Sequence, residues 1–254
     1  MQFCGFYDKI FAESEGLNQM DDMFTRTRAL LGDAALKKLR HSRVALFGVG
    51  GVGGHCAEAL IRTGVGHLLL VDGDTVVESN LNRQAVAYRS TIGRGKAEAM
   101  RERLLDINPN ADITALRAFY LPEDTHGVWD EPLDLVVDAI DTVAAKADIA
   151  LQAQRRGVLA VSCMGAGNKL NPFLFEAADI YETSVCPLCR AMRKACKDRG
   201  VEKLRVIYSK EPRASRGVEG DGRNGRPAPA SMMPVTATAG LLLASEAIRM
   251  LTNA

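Results

Sequence analysis

A chain of 254 residues is long enough for one large domain with a sizeable core, or for one domain and a small appendage. A hydrophobic fraction of 47% and a charged fraction of 25% are those of an ordinary soluble globular protein. The net charge of +1 excludes any argument about partners from overall charge, but the charge is unevenly placed. Residues 1–22 hold five acids against one base, and residues 190–205 hold seven bases against two acids, an asymmetry that permits an anionic partner on one face. Six cysteines follow no secretory spacing, and residues 1–11 lack the basic start and long apolar run of a signal peptide. A cytoplasmic protein is expected.

In chain order, residues 1–22 read as a flexible tail. Residues 27–40 read as an amphipathic helix with Leu30, Leu31, Ala34, Ala35 and Leu39 on one side. A short apolar run, 44–47, ends in Gly48-Val-Gly-Gly-Val-Gly53. A helix over 54–62 follows, Gly64 and Gly66 stop it, and 67–71 is the next strand. A second helix spans 95–107 and halts before Pro109. Strands are expected at 113–117, at 133–140, an almost unbroken apolar run suited to a buried parallel strand, and at 158–163, with a helix over 144–155 between the last two. This alternation predicts an α/β fold, a Rossmann-like, doubly wound, mostly parallel sheet with right-handed crossovers.

Past Gly165 the rhythm changes. A strand is expected at 173–177, a basic helix at 186–199 and a strand at 204–208. Residues 209–231 hold glycine, proline and arginine with almost no large apolar residue, as a mobile loop would. The apolar run 232–251 is interrupted by Thr236, Thr238, Ser245, Glu246 and Arg249. It reads as a buried or dimer-interface helix, and no stable membrane insertion is expected. The chain thus divides into a tail (1–22), a nucleotide-binding core (23–167) and a C-terminal extension for substrate binding and dimerisation (168–254).

Chemistry concentrates in the core. Gly48, Gly50, Gly51 and Gly53 form a turn whose backbone N–H groups can approach a phosphate at a helix N-terminus. Asp72 closes the next strand, where a carboxylate can accept from a ribose. So far a nicotinamide dehydrogenase fits equally well. The rest of the set suits a triphosphate better: Asp72-Gly-Asp74, Asn80-Leu-Asn-Arg83, Gly93-Arg-Gly-Lys96 and Asp141. Arg83 offers a planar fork and Lys96 a point charge to phosphate. Asp141 falls past a buried strand, where it can cap the helix that follows, hold Mg²⁺ through an oxygen, or do both.

These motifs, over about residues 24–167, resemble the ATP-adenylylating superfamily of ubiquitin-activating, ThiF-type and molybdopterin-synthase adenylyltransferase enzymes. The resemblance implies ATP with Mg²⁺. It implies Asp72 as ribose ligand, Asn80, Arg83 and Lys96 as phosphate-handling residues, and Asp141 as the magnesium-linked acid. It also implies a homodimer in which Arg26 reaches the partner's site. Gly64-Val-Gly, Met164-Gly-Ala-Gly-Asn-Lys169, the run 178–188 and Val206-Ile-Tyr-Ser-Lys-Glu-Pro212 resemble the tRNA threonylcarbamoyladenosine dehydratases within it. That narrower resemblance implies a tRNA substrate, with a sulfur-relay protein as a candidate further partner. The alternative is adenylylation of the C-terminal glycine of a ubiquitin-like sulfur carrier. A dinucleotide-dependent redox protein and an inactive scaffold are weaker readings, because every polar position of the ATP motif is filled. Cys186-Pro-Leu-Cys189 is a single C-x-x-C pair, whereas zinc takes four ligands, so ordinary thiols are expected. His41, His55, His67 and His126 stand in no ligand spacing.

Overall fold

A computed structural model describes residues 23–214, 217, 218 and 228–253. The expected tail 1–22, most of the expected loop 209–231, and Arg216, Arg223 and Arg226 within it lie outside the described residues.

The expected first helix is two. α1 (Thr25–Leu31) and α2 (Asp33–His41) meet at Gly32, whose φ of +83° ends one helix and turns the chain into the next. The break also changes the buried face: Leu36 and Leu39 enter the core, and Leu30 is 84% exposed. Then come β1 (Arg43–Phe47), α3 (Gly53–Thr63), β2 (His67–Val71), α4 (Lys96–Ile107), β3 (Asp112–Leu116), β4 (Leu135–Asp138), α5 (Val143–Arg156), β5 (Leu159–Cys163), β6 (Phe175–Asp179), α6 (Pro187–Arg199), β7 (Arg205–Ser209) and α7 (Met233–Thr252).

The strands form one seven-stranded sheet in the order β3-β2-β1-β4-β5-β7-β6, parallel except for the antiparallel pairing of β6 on β7. β6 and β7 therefore continue the sheet of the core as its last two strands, and α7 covers it. Alternation along the central strands sends side chains to two cores. Val44, Leu46, Leu135 and Val137 meet α3, α4 and α7 on one face. Ala45, Phe47 and Val136 meet α5 on the other. β1 is the pivot. Successive strands run outward from it through β2 to β3 and, on the other side, through β4 and β5, so the crevice between the C-terminal ends of β1 and β4 is the switch point where such sheets take ligands.

By length and composition α7 alone among the described helices could cross a membrane, with a mean hydropathy of 1.2, yet half of it is buried within the molecule. Val235, Ala239, Leu243, Ala244, Ala247 and Leu251 lie in the core with α3 and the sheet. Gly240 permits the crossing: a Cβ there would stand 2.3 Å from the Val52 carbonyl oxygen at the start of α3. This helix fixes the glycine turn from behind.

Candidate active site

The turn after β1 is built by close backbone approach. Gly48 has φ +88°, and a Cβ on it would stand 2.9 Å from the Ala139 carbonyl oxygen beyond β4. A Cβ on Gly53, the first residue of α3, would fall 1.8 Å from the Gly48 carbonyl oxygen. Neither position has room for a side chain. Gly51 lies beneath Arg83, whose stem carbons pass 3.2–3.4 Å from where a Gly51 Cβ would be. Gly50 is open but for the Gln84 amide at 4.0 Å.

Asp72 leaves β2 beside this turn. The Val49 N–H donates to its Oδ2 at 2.6 Å and the Asp74 N–H to its Oδ1 at 2.8 Å. Burial pushes its carboxyl above the usual range, against the pull of the Val49 N–H and of Lys96. Strand-like pairing of 74–76 with 93–96 brings in Lys96, whose N–H donates to the Asp74 carbonyl at 3.0 Å. The Lys96 ammonium, almost fully buried, sits 3.0 Å from Asp74 Oδ2. A buried cation and two carboxylates thus stand together beside the glycine turn.

Asn80 is buried, and its Oδ1 accepts from the Val77 N–H at 3.2 Å. It shapes the short helical turn Glu78–Asn80, whose continuation carries Arg83. Arg83 donates to the Ser79 carbonyl at 2.8 Å and to Asn82 Oδ1 at 2.9 Å. His55, which its spacing left unassigned, faces the Arg83 carbonyl at 3.1 Å. A carbonyl only accepts, so the Nε2 carries the hydrogen there.

Asp141 is exposed beyond β4, and its Oδ1 accepts from the Thr142 hydroxyl at 3.4 Å. The capping role open to it in the sequence is not taken up: α5 starts at Val143, the N-cap position is Thr142, and no side chain caps the helix. That leaves the Asp141 carboxylate free of helix-capping duty at the mouth of the switch point. Arg26 is not brought to this cluster. Phe24, two residues before it, packs at Gly64 at the far end of α3, and an eleven-residue helix is about 16 Å long.

Sequence reasoning missed a second buried constellation. Lys146 on α5 is fully buried, with its Nζ 2.8 Å from Asp138 Oδ2. It also donates to the carbonyls of Ile140 at 3.2 Å and Cys163 at 2.9 Å, which uses all three of its hydrogens. Ser162 donates to the same Asp138 oxygen at 2.5 Å, and the Ile140 N–H to Asp138 Oδ1 at 3.2 Å. The group ties the ends of β4 and β5 together and fixes the segment that carries Asp141. A second tie anchors residues 164–169. Asn168 (φ +59°) exchanges backbone and side-chain bonds with Ala230 and accepts from the Ala214 N–H, and buried Lys169 donates to the Glu211 carbonyl.

A Gly-rich turn at the switch point of this sheet, with a buried lysine beside two aspartates, gives an α/β protein with a cleft suited to an anionic ligand. The chain belongs to the ThiF family, whose model matches residues 24–254. It is 41% identical to the tRNA threonylcarbamoyladenosine dehydratase of Bacillus subtilis over 74% of each chain. It is 36% identical to that of Escherichia coli, over 71% of this chain and 68% of the relative. The crystal structure of the E. coli enzyme in complex with ATP superposes with a TM-score of 0.81 at 33% identity, covering 91% of this chain and 93% of that one.

Proposed function

We propose that this chain is a tRNA threonylcarbamoyladenosine dehydratase, an ATP-dependent enzyme that cyclises the threonylcarbamoyl group on adenosine by way of an acyl adenylate. The observation that carries the reading is the 41% identity to an enzyme of that name over 74% of the chain. The buried Lys96 beside Asp72 and Asp74 at the glycine turn supports it.

In this reading the threonyl carboxylate attacks the α-phosphate of ATP, and pyrophosphate leaves. AMP then leaves as a neighbouring group on the same nucleoside closes the ring, a step that proximity promotes. The net change on the nucleoside is loss of one water. The N–H groups of the turn receive phosphate, Asp72 accepts from the ribose, and Lys96, Arg83 and Asn80 hold the phosphates while charge shifts. The exposed carboxylate of Asp141 suits Mg²⁺, which takes hard oxygen ligands and would neutralise charge on the phosphates. In a homodimer, which the family resemblance implies, Arg26 would serve the site of the second copy; it lies at the other end of α3 from its own turn. Five described cysteines, all free thiols, agree with a reducing, cytoplasmic setting.

The tRNA would meet a positive surface. On α6, Arg190, Lys194 and Lys197 are exposed and one to two turns apart. Arg193 is less available, because it donates to the Thr183 carbonyl at 2.8 Å, and Arg205 pairs with Glu246 at 2.6 Å. The triple variant Arg190→Ala, Lys194→Ala, Lys197→Ala is expected to weaken tRNA binding with ATP affinity unchanged. The salt slope of that binding should fall by about one unit for each phosphate that is no longer neutralised. Equal tRNA affinity across salt concentrations would remove α6 from the RNA surface. Adenylylation of a ubiquitin-like carrier by a wild-type protein that binds no tRNA would replace the reading with the sulfur-carrier alternative.

A further inference from the structure

Cys186 is the N-cap of the thirteen-residue helix α6 and Cys189 lies in its first turn. Both are buried free thiols. The Cys189 S–H donates to the Cys186 sulfur, and the backbone N–H groups of Cys189, Leu188 and Gly165 face that same sulfur. The residue before the pair is held in an unusual conformation. Val185, β-branched and half exposed, has φ +61°. Such a value is a genuine outlier for a β-branched residue, and it turns Cys186 inward under an exposed surface made by Ser184, Val185 and Pro187. Cys163 on β5 and Arg193 on α6 are the other titratable groups that act on the pair.

We propose that Cys186 and Cys189 are a thiol–disulfide redox pair, closed by a hydroperoxide and reopened by a small thiol. The proposal does not rest on the adenylylation chemistry. The donated S–H bond and the surrounding N–H groups pull the Cys186 thiol below the usual thiol range, against its burial. The same bond, with burial, pushes Cys189 well above the thiol range. The contacts thus favour the anion on Cys186 and the thiol on Cys189, the division that disulfide chemistry uses. The Cys186 thiolate attacks the outer peroxide oxygen, the O–O bond breaks, and the leaving oxygen takes up a proton, which gives a sulfenic acid. The Cys189 sulfur then attacks the Cys186 sulfur, the S–O bond breaks, and water leaves with the Cys189 proton. Two electrons pass from the two sulfurs to the peroxide. The new bond removes the anionic sulfur that faces the Gly165 N–H, just past β5.

The test uses the full-length protein, reduced and then treated with hydrogen peroxide at pH 7. Free thiols are alkylated, and the peptides are weighed after digestion. The expected product is a peptide with Cys186 joined to Cys189 and two hydrogens lighter, restored by glutathione. In Cys189→Ser the expected product is a Cys186 sulfenic acid that a dimedone-type probe captures. Alkylation of reduced protein should proceed at a flat rate from about pH 6 to 8, where an ordinary thiol of pKa near 8.5 gains about tenfold per unit. Should Cys186→Ser fold poorly, Cys186→Asp keeps an anionic cap and is expected to abolish the lightened peptide. Two freely alkylated thiols after peroxide would overturn the proposal. So would a sulfinic acid at Cys186 beside an intact Cys189 thiol, or one zinc per chain released by loss of either cysteine.

Discussion

Replacing Lys96 with alanine is expected to lower the rate of adenylate formation by about 10²–10³-fold, the usual cost of removing one group placed to stabilise developing charge. The same change leaves Asp72 and Asp74 together without their cation. Lys96 is almost fully buried, but Asp74 is a third exposed, so water screens part of the loss. About 1–2 kcal/mol of stability should go with it. The two effects separate in the double variant Lys96→Ala, Asp74→Ala. Urea unfolding should return most of the lost stability, since the unpaired carboxylate goes too, while the rate stays low. A double variant that regains both would make Lys96 a structural residue only.

A larger loss of stability is expected at Lys146. Its ammonium and the Asp138 carboxylate are both shielded from water and lie 2.8 Å apart. Lys146→Met fills a similar volume but strands Asp138, whose remaining partners are the Ser162 hydroxyl and the Ile140 N–H. Breaking one side of such a pair costs about 3–5 kcal/mol, visible as a lower urea midpoint. The double variant Lys146→Met, Asp138→Asn should recover much of that cost, because no unpaired charge stays buried. If Lys146→Met lowers the unfolding free energy by under about 1 kcal/mol, water reaches Asp138 and this pair does not lock the ends of β4 and β5.

These two lysines mark what was legible in the sequence. Lys96 stood out because Gly93-Arg-Gly-Lys96 follows Asp72-Gly-Asp74 at a spacing that suits a phosphate site, and the fold brings the two segments side by side. Lys146 did not, because one lysine in a mixed helix reads as a solvated charge. Only the packing of α5 over β4 and β5 buries it. The parallel strands were legible for a related reason: strands covered on both faces, such as 135–138, appear as apolar runs. Helix ends were harder. The break at Gly32 redirected the apolar face from Leu30 to Leu36, since a positive φ between two helices leaves little trace in periodicity. Asp141 looked like a cap because aspartate favours that place, yet the helix begins one residue later, behind Thr142. Arg26 stood just ahead of the expected helix 27–40, whereas α1 begins at Thr25 and includes it, and its distance from the turn depends on how α1 docks at Gly64.

Dehydration of a modified nucleoside at the expense of ATP is the activity that the glycine turn, Asp72, Arg83 and Lys96 would serve together. It is tested by incubating the purified protein with ATP, Mg²⁺ and tRNA that carries threonylcarbamoyladenosine, digesting the RNA to nucleosides and weighing them. The expected product is a nucleoside lighter by one water, formed together with AMP and pyrophosphate and absent when Lys96 is alanine. An unchanged nucleoside mass, from a protein that binds both ATP and the tRNA, would contradict that activity.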